Sequence, residues 1–190
     1  MFLPYPLILA SQSPRRQDLL KQAGFTFTTI NRDVSENFPD ELSAIEAALY
    51  IADQKIQAYQ DLVNQNIVIC ADTIVVQDQI ILGKPENKKE ALDMLGKLSG
   101  KAHEVITAVV ISGPSGTKSF TETTKVIFEI LENSEIIEYV DKFQPYDKAG
   151  AYGIQEWIGL IGIKEIQGSY FNVVGLPIHR VYQELKSFCT

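Results

Sequence analysis

Histidine and cysteine each occur only twice in 190 residues, and that scarcity removes several chemistries at once. His103 and His179 are far apart and fit no His-Glu-x-x-His spacing, so a histidine-built zinc site or a Ser-His-Asp triad is not expected. Cys70 and Cys189 lack metal-ligand spacing and make no disulfide framework, which points to a reducing cytoplasm. Cys70 lies in an apolar run and is expected in the core, not as a nucleophile. No segment approaches the roughly 18 uninterrupted apolar residues of a membrane span. Met-Phe-Leu-Pro-Tyr-Pro at the start has neither a basic n-region nor a cleavage site, so neither a signal peptide nor a membrane partner is expected. Positive charge is in deficit, 17 Lys and Arg against 24 Asp and Glu, which argues against polymeric nucleic acid as a partner. A small anionic substrate remains open. Screening confines the global field to about 8 Å, so a few local cations and a metal can dominate a pocket.

The most informative stretch that is present is Leu7 to Arg16, LILASQSPRR. Leu7 to Ala10 reads as a short buried strand, Ser11-Gln12-Ser13 as a turn, Ser13 as an N-cap and Pro14 as the first helical residue. Leu19, Leu20 and Ala23 continue the apolar face, and Gly24 stops the helix. Arg15 and Arg16 in a first turn oppose the helix dipole unless an anion sits there, held by backbone N–H groups, serine hydroxyls and guanidinium forks. The glycines and Gly-Lys-Ser/Thr ending of a Walker loop are missing, so a phosphate site here is of another kind.

Further along, Phe25 to Ile30 reads as a second strand. Asn31 to Asp40 is a polar connection holding Glu36. A Ser43–Glu46 capping box opens a helix to about Leu62, with Leu42, Ile45, Leu49, Ala52, Ile56 and Tyr59 as its apolar stripe and Lys55 beside that stripe. Ile67 to Cys70 reads as a strand ending at Ala71-Asp72-Thr73, with extension resuming at Ile74. Gln77-Asp78-Gln79 turns a hairpin into Ile80 to Leu82, followed by Gly83-Lys84-Pro85. Asn87 and Glu90 cap a helix stopped by Gly100, and strands near Val105 to Ile111 and Lys125 to Leu131 flank a turn at Gly113 to Gly116. A helix spans about Ser134 to Lys142, and Tyr146 to Gln155 is glycine-rich and irregular. A strand at Gly162 to Ile166 precedes a last helix opened by Pro177. Strands and helices mix without strict alternation, which implies an α/β fold: a mixed twisted sheet with flanking helices, in one domain with two lobes around a cleft.

Asp72, an ionisable residue at the end of an apolar run, suits a cleft edge, where it can hold a divalent cation or take a proton from water; a turn-capping Asp is the plainer alternative. Glu36 and Asp147 are carboxylates in irregular segments that could share a metal or be surface charges. Lys84 sits on a stiffened turn. Trp157 can stack a base or pack in the core. Arginines at a helix start, two lysines, several carboxylates and no histidine suit metal-assisted chemistry on a polyphosphate.

With SQSPRR, ADTIV, GKP, DKAGAYGIQ and GSYFNVVGLP in this order, the chain resembles the Maf family along essentially its whole length. These are nucleoside triphosphate pyrophosphatases also labelled septum-formation inhibitors. The DKAGAYGIQ form is similar to the branch acting on dTTP and UTP. The resemblance implies release of pyrophosphate from a nucleoside triphosphate with Mg²⁺ or Mn²⁺, a two-lobed α/β fold related to inosine triphosphate pyrophosphatases, and homodimers. It assigns Asp72 as proton acceptor, and Arg15, Thr73 and Gln155 to substrate selectivity. It assigns Ser13, Arg16, Lys55 and Lys84 to the phosphates, and Glu36, Asp72 and Asp147 to the metal. Two departures stand out: Glu156-Trp157 follows Gln155 where the family usually has glycine, and Gly83 precedes Lys84 where glutamate is frequent. A non-catalytic nucleotide-binding regulator of cell division, and a house-cleaning pyrophosphatase for modified purine nucleotides, are the alternatives.

Overall fold

Seven strands pair in one mixed sheet in the computed structural model, which describes residues 2–189. The strands are β1 (Leu7–Leu9), β2 (Thr28–Thr29), β3 (Ile67–Gln77), β4 (Ile80–Leu82), β5 (Ala102–Gly113), β6 (Gly116–Phe128) and β7 (Ile163–Gln167). Their order is β2-β1-β3-β5-β6-β7, with β4 also paired to β3. The helices are α1 (Pro14–Gln22), α2 (Ala44–Gln57), α3 (Lys88–Leu98), α4 (Asn133–Phe143), α5 (Trp157–Gly162), α6 (Tyr170–Val174) and α7 (Ile178–Leu185). The fold is mixed α/β. Among the described residues no helix is long and apolar enough to cross a membrane.

The chain divides into two compact units. Unit 1 comprises residues 1–72, 107–122 and 175–190; unit 2 comprises 73–106 and 123–174. Three of the divisions fall inside β3, β5 and β6, and the fourth follows α6.

Unit 1 is built on parallel pairing. β1 pairs with β2 and with β3 in parallel, Leu9 standing opposite both Thr29 and Ile69. Parallel neighbours need crossover connections, and α1 and α2 supply them. Ser13 caps α1 by accepting the Arg16 N–H, and Pro14 opens it, as its sequence requires. Both partners of the Ser43–Glu46 capping box are made. The face of α2 is shifted from the expected one. Ala52, Ile56 and Tyr59 of the expected stripe are buried, but Ala47, Ala48 and Ile51 complete the face while Ile45 is exposed. Small alanines among these let the helix lie close to the sheet. The helix also ends at Gln57, with turns carrying the chain on through Leu62.

Unit 2 contains the hairpin from β3 to β4, whose turn residues Asp78 and Gln79 both have positive φ, the requirement of a tight type I′ connection. β7 pairs antiparallel with β6, with an irregularity at Ile127/Phe128. The expected strand break after Cys70 does not occur. β3 runs unbroken through Asp72 to Gln77, nearly every residue buried, as befits a central strand covered on both faces.

Candidate active site

In unit 1 the parallel strands β1 and β2 end while their neighbour β3 runs on, so the loops that leave β1 and β2 emerge beside the continuation of β3. The loop after β2 carries Glu36, the turn after β1 carries Ser11 to Arg16, and β3 extends three residues beyond its last pairing with β1 to reach Asp72. Asp72 is 7% exposed. Lys55, from the sheet side of α2, donates to Asp72 Oδ1 at 2.7 Å and to Glu36 Oε1 at 2.7 Å. One ammonium therefore draws two carboxylates together. A charge buried this far must be compensated, and Lys55 does so.

The Glu36 loop is tied at its root to the far end of the same helical segment. Tyr59 Oη accepts the Arg32 N–H at 2.7 Å and donates to the Ile30 carbonyl at 3.1 Å. The Arg32 guanidinium meets the Asp61 carboxylate through two bonds, 2.6 and 2.8 Å, and also reaches the Ala58 carbonyl.

Arg16 bridges the amino-terminal turn to β3 and to the stretch before α7. Its Nε donates to the Gly175 carbonyl and an Nη to the Ala71 carbonyl, both at 2.8 Å, with Ser11 Oγ at 3.4 Å. Desolvation pulls its pKa below the ordinary arginine value, while Asp72 and Glu36 oppose that shift; the guanidinium stays charged. Burial pushes the neighbouring Cys70 thiol up to about 12, so it is a protonated core residue.

In unit 2, Gly150 N–H donates to the Gly83 carbonyl at 3.1 Å, tying the glycine-rich segment to the turn that presents Lys84. Gly150 and Ala151 both have positive φ, and a side chain at 150 would press on Val75 at 3.1 Å. For Ala151 this left-handed backbone is strained, the kind of outlier that clusters at functional loops. Asp147 Oδ1 accepts from Lys148 Nζ at 2.7 Å. Lys148 is buried and lies 3.1 Å from Glu156 Oε1. Thr73 is half-buried, whereas Lys84, Asp147 and Gln155 are exposed.

Residues 6–188 match the family described as Maf-like protein. The chain belongs to that family. It is 47% identical to the dTTP/UTP pyrophosphatase of Bacteroides fragilis strain YCH46 over 184 residues, covering 96% of this chain and 95% of that one. It is 44% identical to the dTTP/UTP pyrophosphatase of Porphyromonas gingivalis strain ATCC 33277, covering 97% and 94%. Among solved structures, the Staphylococcus aureus Ham1 protein overlaps at a TM-score of 0.47 and 19% identity, covering 94% of this chain and 99% of that one.

For this Maf-like chain, Ser13, Arg16, Glu36, Lys55 and Asp72 are linked within unit 1 by the contacts described above. Arg15 stands in the same first turn of α1 as Arg16, and the two cations repel electrostatically. Thr73, Lys84, Asp147 and Gln155 belong to unit 2. Sequence reasoning missed Lys148, Glu156 and Tyr139 as a connected polar group. It also missed His103, whose Nε2 lies 2.8 Å from Tyr152 Oη. A hydroxyl or imidazole set in an apolar segment was the available signal in the last two cases.

Proposed function

We propose that this Maf-like chain hydrolyses dTTP and UTP to the nucleoside monophosphate and pyrophosphate. The observation that carries the reading is Asp72, buried within β3 where β1 has ended, sharing Lys55 with Glu36 near a helix start that bears two arginines. The near full-length similarity to enzymes named dTTP/UTP pyrophosphatase supports the same substrates.

The donor set fits a hard divalent cation. Glu36 and Asp72 offer two carboxylates converging on one point of positive charge, and Mg²⁺ or Mn²⁺ takes one or two protein carboxylates and completes its shell with water and phosphate oxygens. When bound, such a cation supplies charge neutralisation on the triphosphate and the departing pyrophosphate.

Lys55 fixes Oδ1 of Asp72, which orients the carboxylate, while Oδ2 takes a proton from the attacking water. The water oxygen bonds to the α phosphorus. The bond from that phosphorus to the bridging oxygen breaks, and its electron pair leaves with pyrophosphate. Ser13 and Arg15, with the N–H groups opening α1, receive phosphate oxygens, and Lys84 adds a point charge. Arg16, whose fork on the Ala71 and Gly175 carbonyls ties the turn to β3, adds its positive charge to the phosphate side. Thr73 and Gln155 present donors and acceptors to a pyrimidine edge. The same reading makes the protein a cytoplasmic enzyme working as a homodimer.

A panel of common nucleoside triphosphates with Mg²⁺, scored for pyrophosphate, tests the reading. Release from dTTP and UTP well above ITP is expected, and nucleotide binding without turnover would refute it. Asp72→Asn should melt like the wild type and lose about 10²–10⁴-fold in turnover, the usual worth of a positioned base. Near wild-type turnover removes Asp72 from the mechanism.

A further inference from the structure

Glu156 directly follows Gln155, and the structure gives it a task. The segment Gly153-Ile154-Gln155-Glu156 is a tight turn closed by the Glu156 N–H donating to the Gly153 carbonyl at 2.9 Å. Gln155 is its third residue and points an exposed side chain outward. Tyr139, from α4 and fully buried, reaches both ends of this turn with one oxygen. That hydroxyl accepts the Gly153 N–H at 3.0 Å and donates to Glu156 Oε2. The other carboxylate oxygen, Oε1, pairs with the buried Lys148, which in turn holds Asp147.

The packing around the turn makes this arrangement specific. A Cβ at Gly153 would stand 2.8 Å from the Glu156 carboxyl carbon, so the carboxylate folds back over its own turn only because position 153 is glycine. Beyond the turn, the Gly159 N–H donates to the Glu156 carbonyl at 2.9 Å. A Cβ at Gly159 would overlap the Ile154 carbonyl oxygen. Burial, with the Glu156 carboxylate second, drives Tyr139 ionisation far above the ordinary range; its hydroxyl remains a donor.

We propose that Glu156 is a positioning residue for nucleotide selectivity: through Tyr139 it locks the turn that aims Gln155, and through Lys148 it fixes Asp147. The proposal rests on the assignment of Gln155 to the base edge. A hydrogen-bonding site discriminates strongly only when its groups are held in place, since an ill-aimed amide accommodates a mismatched base as readily as a matched one. Losing the clamp therefore erodes the preference for dTTP and UTP over CTP more than it slows the chemistry at Asp72.

Steady-state kinetics on dTTP, UTP and CTP for the wild type, Tyr139→Phe, Glu156→Ala and Glu156→Gln test this. Tyr139→Phe and Glu156→Ala should each lower the dTTP-to-CTP ratio of kcat/KM by about tenfold, the equivalent of one charge-assisted hydrogen bond. The fall should be carried by KM for dTTP, with kcat near the wild-type value. Glu156→Gln keeps an acceptor for Tyr139 and should retain most of the ratio. A ratio unchanged in the first two variants, or an equal loss on all three nucleotides, overturns the proposal. A loss in Glu156→Gln as large as in Glu156→Ala overturns the Tyr139 clamp. Should Glu156→Ala fail to fold, the near-isosteric Tyr139→Phe decides. A wild type that releases no pyrophosphate from any nucleotide sinks the pyrophosphatase reading itself. An active, selective wild type with indifferent variants sinks only the positioning of Gln155.

Discussion

Acidification should loosen this protein through one imidazole. His103 is 3% exposed on β5, edge-on to the Tyr152 ring at 5.4 Å and 5.5 Å from the Phe128 ring. Its Nε2 is engaged by Tyr152 Oη, and its Nδ1 has no hydrogen-bond partner. Protonation would add a charge and leave an N–H with nothing to receive it, so burial pushes the pKa from 6.5 down to about 4. Between those values the unfolded chain binds a proton that the folded chain refuses. The stability contributed by neutral His103 is complete above about pH 6.5 and drains away as pH falls toward about 4. Each pH unit inside the window is worth about 1.4 kcal/mol, about 3 kcal/mol in all, a large share of a typical 5–15 kcal/mol. Urea unfolding from about pH 7 to about pH 4.5 measures it, with His103→Phe/Tyr152→Phe as the reference, since that pair removes the titrating ring and its hydroxyl partner together. The wild type should lose about 2–3 kcal/mol more than the double variant across this range. Parallel pH dependences would refute the reasoning. Tyr152 belongs to the AGAYGIQ segment, so the loss should be accompanied by local opening there.

Arg16→Met removes the two bonds that the guanidinium donates to the Ala71 and Gly175 carbonyls. At about 1.5–3 kcal/mol for each hydrogen bond to a charged group, stability in urea should drop by several kcal/mol, and Arg16→Lys, lacking the fork, should recover little of it. An unchanged melt with a raised KM would make Arg16 a phosphate ligand instead. Arg32→Ala unties the root of the loop carrying Glu36. Because the Arg32–Asp61 pair is largely solvated, melting should change little, while the Mg²⁺ concentration needed for half-maximal turnover should rise; an unaltered Mg²⁺ requirement would show that Lys55 alone holds Glu36.

Local chemistry was legible wherever a short segment decides its own conformation. Ser13 with Pro14, the Ser43–Glu46 box, the Asn87 cap and the Asp78-Gln79 turn all form where the residues require them, because capping and turn geometry are settled within four residues. Ala71-Asp72-Thr73 reads as a break because Asp is a poor strand residue. Yet β3 stays extended through it, since pairing with neighbouring strands outweighs one unfavourable residue. The short strand β2 is only two residues of the six expected from Phe25 to Ile30, because its register is set by β1 alone at the sheet edge.

Lys55 shows why the site was harder to read than the elements that build it. Choosing the largest aliphatics as the buried stripe of α2 placed this lysine beside it, on a solvated flank. The structure shifts the buried face to Ala47, Ala48 and Ile51 while keeping Ala52 and Ile56, and Lys55 follows Ile51 and Ala52 by one helical turn, on the sheet side, its side chain 16% exposed. Hydrophobicity ranks residues by the area they can bury, whereas close helix-on-sheet approach selects for small volume, so the two criteria diverge on an alanine-rich helix. The corrected face makes the pairing intelligible. A carboxylate inside a strand covered on both faces needs a cation from whatever packs over it. Among the described residues of unit 1, that cation comes from α2, whose inner face is lined by alanines and carries Lys55. That Lys55 and Asp72 belong together thus follows from steric fit and desolvation.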